Sequence, residues 1–247
     1  MMIVGVIPAR GGSVGIPKKN LQKVGGLSLL ERSILFAHVS CDVVVVSSDD
    51  REILGVANQL SAIAIQRPSQ LSTGKASSES AVIHAVEQMN LSDYNSTHEK
   101  GKRNVIIGLI QATTPFQESE SFAEGLALVE LHGKDTSVFS AIEDHSFLWE
   151  QNRDQTWSPL NHSKSIRPMR QDLSPRVRET GGFYIFHLET FLKTNSRFSQ
   201  YVLPVMCDPR YALDIDTRID LEWANTIAAE IDSDAKYLQG RREAAND

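Results

Sequence analysis

Cysteine is scarce in this sequence of 247 residues, which contains only Cys41 and Cys207. Two isolated cysteines form neither a disulfide framework nor the paired spacing of a zinc site, so the sequence predicts a protein of the reducing cytoplasm. Long apolar runs are also missing: the longest have about seven residues, and a membrane-spanning helix needs about 20. The first eight residues lack the basic start of a secretory signal. These absences predict a soluble protein with no membrane partner.

Positive charge is in short supply too, since 25 lysines and arginines face 31 acidic residues and leave a formal charge of −6. This balance offers no extended surface for nucleic-acid phosphates and argues against nucleic acid as a partner. The sequence does have an ordinary globular composition, with 41% hydrophobic and 23% charged residues, which excludes disorder. Its length suits one large α/β domain, or a core domain with an insertion.

Short apolar runs rich in β-branched residues alternate with helical patterns over the first 142 residues. Because continuous apolar strands are buried on both faces, this alternation predicts an α/β fold of three layers, with a mostly parallel sheet between helices. Ligands of such sheets bind at the carboxyl ends of the strands. The predicted strands are 2–8, 43–47, 62–65, 104–110 and 137–142.

The regular alternation stops near residue 143, where polar residues and proline predominate, and a strand pattern returns at GGFYIFH. We therefore predict a core of residues 1–142 and 207–247, with residues 143–206 as an insertion or lid at the binding edge. The chain closes with a predicted amphipathic helix that begins after Thr217. Its apolar positions recur every four residues, at Ile219, Trp223, Ile227 and Ile231.

A glycine-rich, basic segment, IPARGGSVGIPKKN, follows the first predicted strand at residues 7–20. Glycines in this position let backbone N–H groups approach phosphate oxygens. The segment lacks both the Walker A spacing and the GxGxxG pattern, and without GxGxxG an NAD-dependent oxidoreductase is disfavoured. Arg10, Lys18 and Lys19 favour a polyphosphate ligand over a purely structural turn.

Two acidic residues, Asp214 and Asp216, stand two positions apart in the segment LDID. In an extended chain both side chains point to one face, roughly 6–7 Å apart. Such a pair suits Mg²⁺, which completes its coordination with water and phosphate oxygens. A solvated edge strand or the cap of a helix would explain the same pattern.

Five basic residues face a single acid, Asp172, between residues 164 and 178. Arginine binds carboxylates and phosphates through two parallel hydrogen bonds, so this cluster suits an acidic ligand. A loop that is solvated or that faces a second subunit would explain it equally well. The basic residues are Lys164, Arg167, Arg170, Arg176 and Arg178.

The segment PARGGSxGIPxKN resembles the N-terminal signature of the CMP-sialic acid synthetase family, cytidylyltransferases that activate nine-carbon acidic sugars. The resemblance continues in order and spacing through most of the chain. It implies a Rossmann-like α/β fold whose insertion dimerises and lends residues to the neighbouring site. It also implies a reaction in which the anomeric hydroxyl of an ulosonic acid attacks the α-phosphorus of CTP and releases pyrophosphate. The further matching segments are 67–71, 76–78, 109–115, 169–186 and 214–217.

Matching positions carry the family's roles to particular residues of this chain. The resemblance implies Arg10, Lys19 and Asp216 as catalytic residues, and Asp214 with Asp216 as ligands of Mg²⁺. It implies CTP and a small acidic sugar as substrates. The nucleotide-binding residues would be Ala9, Gly11, Gly12, Ser13, Asn20, Arg67 and Ser78, and the sugar-binding residues would be Gln111, Arg170, Arg178 and Tyr184.

Three positions depart from the family pattern. Val14 replaces the usual lysine of the loop, which removes a cation that Lys18 would have to replace. Gly74 stands where many members carry aspartate, and Thr180 where many carry asparagine beside the sugar. Two alternatives therefore stay open: a catalytically weak paralogue that binds CTP or a sugar acid as a sensor, and a cytidylyltransferase for another ulosonate, such as an eight-carbon 3-deoxy acid.

Overall fold

Seven strands pair into one central sheet in the computed structural model, which describes residues 1–13, 15–74, 76–91, 104–166, 168–235 and 238. Two short hairpins, β2 with β3 and β8 with β9, lie outside it. The strands are β1 (Met2–Pro8), β2 (Lys23–Val24), β3 (Leu27–Ser28), β4 (Val43–Ser48), β5 (Ile63–Gln66), β6 (Val105–Ile110), β7 (Thr136–Glu143), β8 (Trp149–Gln151), β9 (Trp157–Pro159), β10 (Val177–His187) and β11 (Tyr201–Met206).

Helices cover both faces of this sheet. One face carries α1, α2 and α4, whose Leu30, Ile53 and Phe122 belong to one buried cluster. The other face carries α3 and α5, which contribute Val82 and Phe191 to a second cluster. The helices are α1 (Leu29–Ser40), α2 (Arg51–Gln59), α3 (Ser78–Gln88), α4 (Ser119–His132), α5 (Leu188–Thr194) and α6 (Arg218–Asp234).

The strand order is β11-β7-β10-β6-β1-β4-β5. Strand β1 runs parallel to β4 and β6, β4 runs parallel to β5, and β11 runs parallel to β7. Strand β10 alone among the described strands of the sheet is antiparallel to its two neighbours, β6 and β7. All six residues of β6 are buried, as a central strand covered on both faces requires. The predicted three-layer, mostly parallel α/β fold is confirmed.

Part of the predicted insertion, 143–206, belongs to the central sheet. Both β10 and β11 lie inside that range, and both are strands of the sheet. Residues 144–166 and 168–176 lie outside the sheet and include the β8–β9 hairpin and the short 3₁₀ helix Arg170–Asp172, and residues 188–200, which include α5, lie outside it as well. Composition marks where regular structure stops, whereas the pairing of β10 with β6 joins distant residues, Tyr184 and Leu109.

Helix α6 forms where the sequence predicts it, but it turns a different face to the core. Ala224, Ala228 and Ile231 are buried, whereas Ile219 and Trp223 are 62% and 67% exposed. A repeat of every four residues drifts around a helix of 3.6 residues per turn, so those positions cannot all face the core. The predicted helix is present, but its apolar repeat does not coincide with its buried face.

No described helix combines the length and the apolar character that a membrane span requires.

Candidate active site

A polar cavity of about 420 Å³ opens where β1 and β6 end. Its basic lining residues are Arg10, Lys19 and Arg67, against one acidic residue, Asp216. The cavity therefore suits an anion. The remaining lining residues are Pro8, Ser13, Gly15, Asn20, Gly74, Ala76, Ser77, Ser78 and Thr113.

The loop after β1 is anchored at its base by two hydrogen bonds. The Gly11 N–H donates to Asp49 Oδ1 at 3.0 Å, and the Asn20 side-chain amide donates to the Arg10 carbonyl at 2.9 Å. The Gly12 position has open space, since an added Cβ would meet no atom within 4 Å. The loop thus presents backbone that a phosphate can approach, as its glycines predict. Ala9 is fully buried and does not line the cavity.

Gly15 brings this loop against the LDID segment. A Cβ at Gly15 would lie 2.6 Å from the Asp216 carbonyl oxygen, a contact with backbone that side-chain movement cannot relieve. The glycine therefore permits the close approach of two segments that are distant in sequence.

With CTP, the substrate that the sequence resemblance implies, we expect Gly15→Ala to lower kcat/KM by about ten- to a hundredfold, because a displacement of about 1 Å at a reacting group can cost about a hundredfold. Initial rates at varied CTP concentration measure this. Gly55→Ala on α2 is the matched control, since its Cβ would meet nothing within 4 Å. Equal rates for both variants would show that the close approach does not matter.

Lys19 joins the loop to the acidic pair. Its Nζ donates to the Ile215 carbonyl at 2.7 Å and to Asp216 Oδ1 at 3.0 Å. The Lys19 side chain is 15% exposed, whereas that of Asp216 is 73% exposed. The carboxylate of Asp216 is therefore open to a ligand, while the lysine is held in place. The structure thus brings Lys19 and Asp216 to one cavity, which Arg10 also lines.

Asp214 lies beside Asp216 but in a different environment. It keeps contact with solvent, yet partial burial raises the pKa of its carboxyl group. A hydrogen bond from Thr113 opposes this rise in pKa, Asp216 adds to it, and Lys19 opposes it. The LDID segment is not a strand: it is irregular chain that leads to Thr217, the N-cap of α6. The two carboxylates lie close enough to influence each other.

Arg67 forms part of the cavity wall while being 5% exposed. Its Nη2 donates to the Ser47 carbonyl at 3.2 Å, but its Nε has no hydrogen-bond partner among the described residues. Burial lowers the pKa of Arg67; Asp49 opposes this effect, and Arg10 adds to it. A buried donor without a partner is costly, which indicates an acceptor supplied by a ligand.

The first turn of α3 points its free N–H groups toward the cavity, which Ser77 and Ser78 line. Ser77 is the N-cap of α3, and its hydroxyl accepts the Ser80 N–H at 3.2 Å. Ser78 is the first helical residue rather than the cap, so its hydroxyl remains available to a ligand. The positive end of the helix dipole adds to the attraction for an anion.

A family model described as cytidylyltransferase matches residues 4–222 of this chain. The chain belongs to the cytidylyltransferase family. It is similar to N-acylneuraminate cytidylyltransferase A of Danio rerio, with 32% identity over 230 residues that make up 90% of this chain and 49% of the relative. It is also similar to N-acylneuraminate cytidylyltransferase of Escherichia coli, with 29% identity over 239 residues, 91% of this chain and 52% of the relative. The chain thus spans about half the length of these curated relatives.

Solved structures share the fold of this chain. CMP:2-keto-3-deoxy-manno-octonic acid synthetase, complexed with CTP, aligns with a TM-score of 0.64 at 16% identity and covers 93% of this chain and 99% of its own. A 4-diphosphocytidyl-2C-methyl-D-erythritol synthase aligns with a TM-score of 0.65 at 14% identity and covers 92% and 98%. At such low identity these likenesses show the fold alone.

In this member of the cytidylyltransferase family, Lys18 does not take over the role of a missing loop cation. Its Nζ pairs with Glu52 Oε2 at 2.5 Å, and it does not line the cavity. Glu52 raises the pKa of Lys18 through this bond. Position 14, where the family usually has lysine, lies outside the described residues, as does Arg167. The structure therefore gives no support to compensation by Lys18.

The four predicted sugar-binding residues are spread over different places. Gln111 follows β6, and its backbone N–H donates to the Gly182 carbonyl at 3.0 Å. Tyr184 is 5% exposed in β10. Arg170 is exposed in the insertion, and Arg178 lines a second cavity with Trp223. None of the four lines the polar cavity.

Thr180 is a buried structural residue in this family member. It is 4% exposed, its hydroxyl lies 2.6 Å from that of Ser140, and it accepts the Gly182 N–H at 3.2 Å. These bonds commit the Thr180 hydroxyl to the bend in β10, so the expectation that this position contacts the sugar gains no support.

Thr113 is a site residue that the sequence analysis missed. It lines the cavity, its side chain bonds to Asp214, and its carbonyl accepts the Ile215 N–H at 2.8 Å. The sequence did contain a signal for Thr113, because this residue follows closely after a buried strand and lies within the matching segment 109–115.

Proposed function

We propose that this chain transfers CMP from CTP to the anomeric hydroxyl of a sialic-acid-like nonulosonic acid and releases pyrophosphate. One observation carries the proposal: Arg10, Lys19 and Arg67 line the same cavity as Gly15 of the glycine-rich loop and Asp216. Such transfers depend on charge neutralisation and in-line positioning of the substrates. Relatives named N-acylneuraminate cytidylyltransferases support a nonulosonic acid as acceptor.

Within the cavity we assign the triphosphate to Arg10, Lys19 and the glycine backbone of the loop. The cytidine then reaches Arg67 and Ser78, where the unpartnered Nε of Arg67 donates to an acceptor of the nucleotide. Selection of one base needs buried donors of this kind, because a base that cannot pair with them leaves them unsatisfied.

We propose that Asp214 and Asp216 hold Mg²⁺ together with phosphate oxygens. Their carboxylates are hard oxygen ligands, and the described residues contain no group of three metal-binding side chains. This donor set fits a cation that takes the rest of its coordination from substrate and water. When bound, Mg²⁺ would neutralise phosphate charge, while Lys19 keeps Asp216 in place.

The test is pyrophosphate release by the full chain from CTP and Mg²⁺, over a panel of nine-carbon and eight-carbon ulosonic acids. We expect release with a nonulosonic acid and much slower release with GTP or ATP. Release with the eight-carbon acid alone would show that the acceptor is an eight-carbon and not a nine-carbon acid. Tight CTP binding without release on any acid would contradict transferase activity and favour a sensor.

We also propose that the chain is a cytoplasmic homodimer whose insertion faces the second subunit. Residues 144–166 and 168–176 lie outside the main sheet and expose several large apolar side chains, a composition typical of an interface. Cys41 and Cys207 are free thiols, in keeping with a reducing compartment. The exposed apolar residues include Trp149, Trp157, Leu160, Ile166 and Met169.

We expect a dimeric mass by light scattering, and a shift toward monomer when Ile166 and Met169 are both changed to glutamate, because a buried unpaired charge destabilises an interface. Leu131→Glu is the control, since Leu131 is 78% exposed on α4. A monomeric mass for the unchanged protein would contradict the homodimer.

A further inference from the structure

Four polar side chains from separate segments meet next to the proposed nucleotide cavity. Glu79 lies in the first turn of α3, Glu179 and Tyr184 lie in β10, and Arg197 follows α5. Arg197 Nε donates to Glu79 Oε1 at 2.5 Å, and its guanidinium lies over the Tyr184 ring, 4.5 Å from the centroid. The Tyr184 hydroxyl donates to Glu179 Oε2 at 2.7 Å. We refer to these four residues as the Arg197 cluster.

The Arg197 cluster adjoins the cavity on the side away from the glycine loop. Glu79 directly follows the cavity residue Ser78 and bonds to the Ser77 side chain. Tyr184 pairs with Leu109, near the end of β6 at which the cavity opens. The glycine loop and Arg67 follow β1 and β5, on one side of β6, whereas β10 lies on the other side. When the glycine loop binds a nucleotide, the side of the cavity next to β10 therefore remains open to the second substrate.

The Arg197–Glu79 pair remains charged although it is largely covered. The Arg197 and Glu79 side chains are 15% and 20% exposed. Burial raises the pKa of Glu79, but the ion pair with Arg197 outweighs this effect and the net shift is downward. A guanidinium carries five N–H donors; the one on Nε bonds to Glu79, and the Arg197 side chain also forms a hydrogen bond with Tyr184. The site thus combines donors on Arg197 with acceptors on two carboxylates.

We propose that the Arg197 cluster recognises a hydroxyl-bearing substituent of the acidic sugar and disfavours an N-acyl group at the same carbon. This inference rests on the proposed function. A hydroxyl group can accept a hydrogen bond from Arg197 and donate one to a carboxylate. The N–H and C=O of an N-acyl group can form hydrogen bonds too, but its methyl group cannot, so the larger acyl group displaces water from the charged groups without replacing all of those hydrogen bonds. Arg197 would then determine specificity for the acceptor rather than for CTP.

The experiment uses the full chain with CTP, Mg²⁺ and two nine-carbon ulosonic acids that differ only in a hydroxyl or an acetamido group at one carbon, as in deaminated neuraminate and N-acetylneuraminate. For the unchanged protein we expect kcat/KM to favour the hydroxyl form by about ten- to a hundredfold. Arg197→Met should bring the two values within about threefold of each other and leave KM for CTP unchanged, since specificity comes from the lost hydrogen bonds.

Arg197→Met leaves Glu79 unpaired, so the double variant Arg197→Met/Glu79→Gln provides a second test if the single variant does not fold. Lys193→Met is the matched control, because Lys193 forms an exposed ion pair with Glu189 on the nearby α5, and it should keep the preference. Equal use of both sugars by the unchanged protein, or an unchanged preference in the Arg197 variants, would overturn the inference and leave the proposed function intact. Pyrophosphate release with neither sugar would overturn both.

Discussion

Asp216→Asn is expected to lower the rate of CTP-dependent pyrophosphate release by about 10²–10³-fold, the size of effect seen when one group that stabilises transition-state charge is removed. The Asp216 carboxylate is exposed, lies in the cavity and accepts a hydrogen bond from Lys19. Asparagine keeps the shape and one carbonyl oxygen but removes the negative charge. The proposed cation site would then retain only Asp214 among its protein carboxylates.

The loss of the Asp216 carboxylate should also be detectable as weaker metal binding, without catalytic turnover. Binding of Mn²⁺ in the presence of CTP, followed by electron paramagnetic resonance, should weaken in Asp216→Asn, because a carboxylate ligand is replaced by a neutral one. Glu222→Gln is the matched control: it removes the same charge from the exposed side of α6, six positions further on, and should change neither rate nor binding. An undiminished rate in Asp216→Asn would remove this residue from the catalytic site.

Local composition was enough to predict the strands that build the parallel part of the sheet. The runs at 2–8, 43–47 and 104–110 are short, continuous and β-branched, and each forms a buried strand at nearly the predicted bounds. Such runs have few alternatives, because only a sheet covered on both faces buries them completely. Composition does not give their order in the sheet, in which β6 lies next to β1 rather than next to β5, the strand that precedes it in the chain.

Strand β10 shows where local composition stops being informative. GGFYIFH predicts a strand, but nothing in those seven residues indicates that they lie antiparallel between β6 and β7. The pairing depends on contacts between residues far apart in sequence. For the same reason, composition indicates neither that β10 and β11 of the predicted insertion belong to the central sheet nor that Arg197 pairs with Glu79, 118 positions away.

The candidate site, like the sheet, could be predicted from composition only in part. The residue types of the glycine loop and of the LDID segment indicated phosphate and metal chemistry, and the structure joins them through Lys19 and Asp216, 197 positions apart. Composition could not indicate that Lys18, whose backbone is left-handed with φ of 51°, pairs with Glu52. The fold distinguishes Lys19, which lines the cavity, from its neighbour Lys18, which does not.

Arg32→Met is expected to destabilise the protein by about 3–5 kcal/mol, the usual result of leaving one partner of a buried ion pair uncompensated. The Arg32 side chain is fully buried, and its Nη1 and Nη2 donate to Asp232 Oδ1 and Oδ2 at 2.8 and 2.6 Å. Its Nε donates to the Val24 carbonyl at 2.8 Å. Methionine fills a similar volume but leaves both acceptors unpaired. The melting temperature should fall by roughly 10 °C in a chain of this size.

Loss of the Arg32–Asp232 ion pair should also affect the cavity, because of the position of Asp232 in the fold. Asp232 belongs to α6, whose N-cap directly follows Asp216, so Arg32 ties the helix behind the acidic pair to α1 and the β2–β3 hairpin. Arg32→Met/Asp232→Leu removes both charges and should recover much of the lost stability. Lys134→Met breaks an exposed pair with Glu189 and should have a much smaller effect, because solvent screens that pair. Equal melting temperatures for Arg32→Met and Lys134→Met would show that α6 is held by its apolar contacts alone, through Ala224, Ala228 and Ile231.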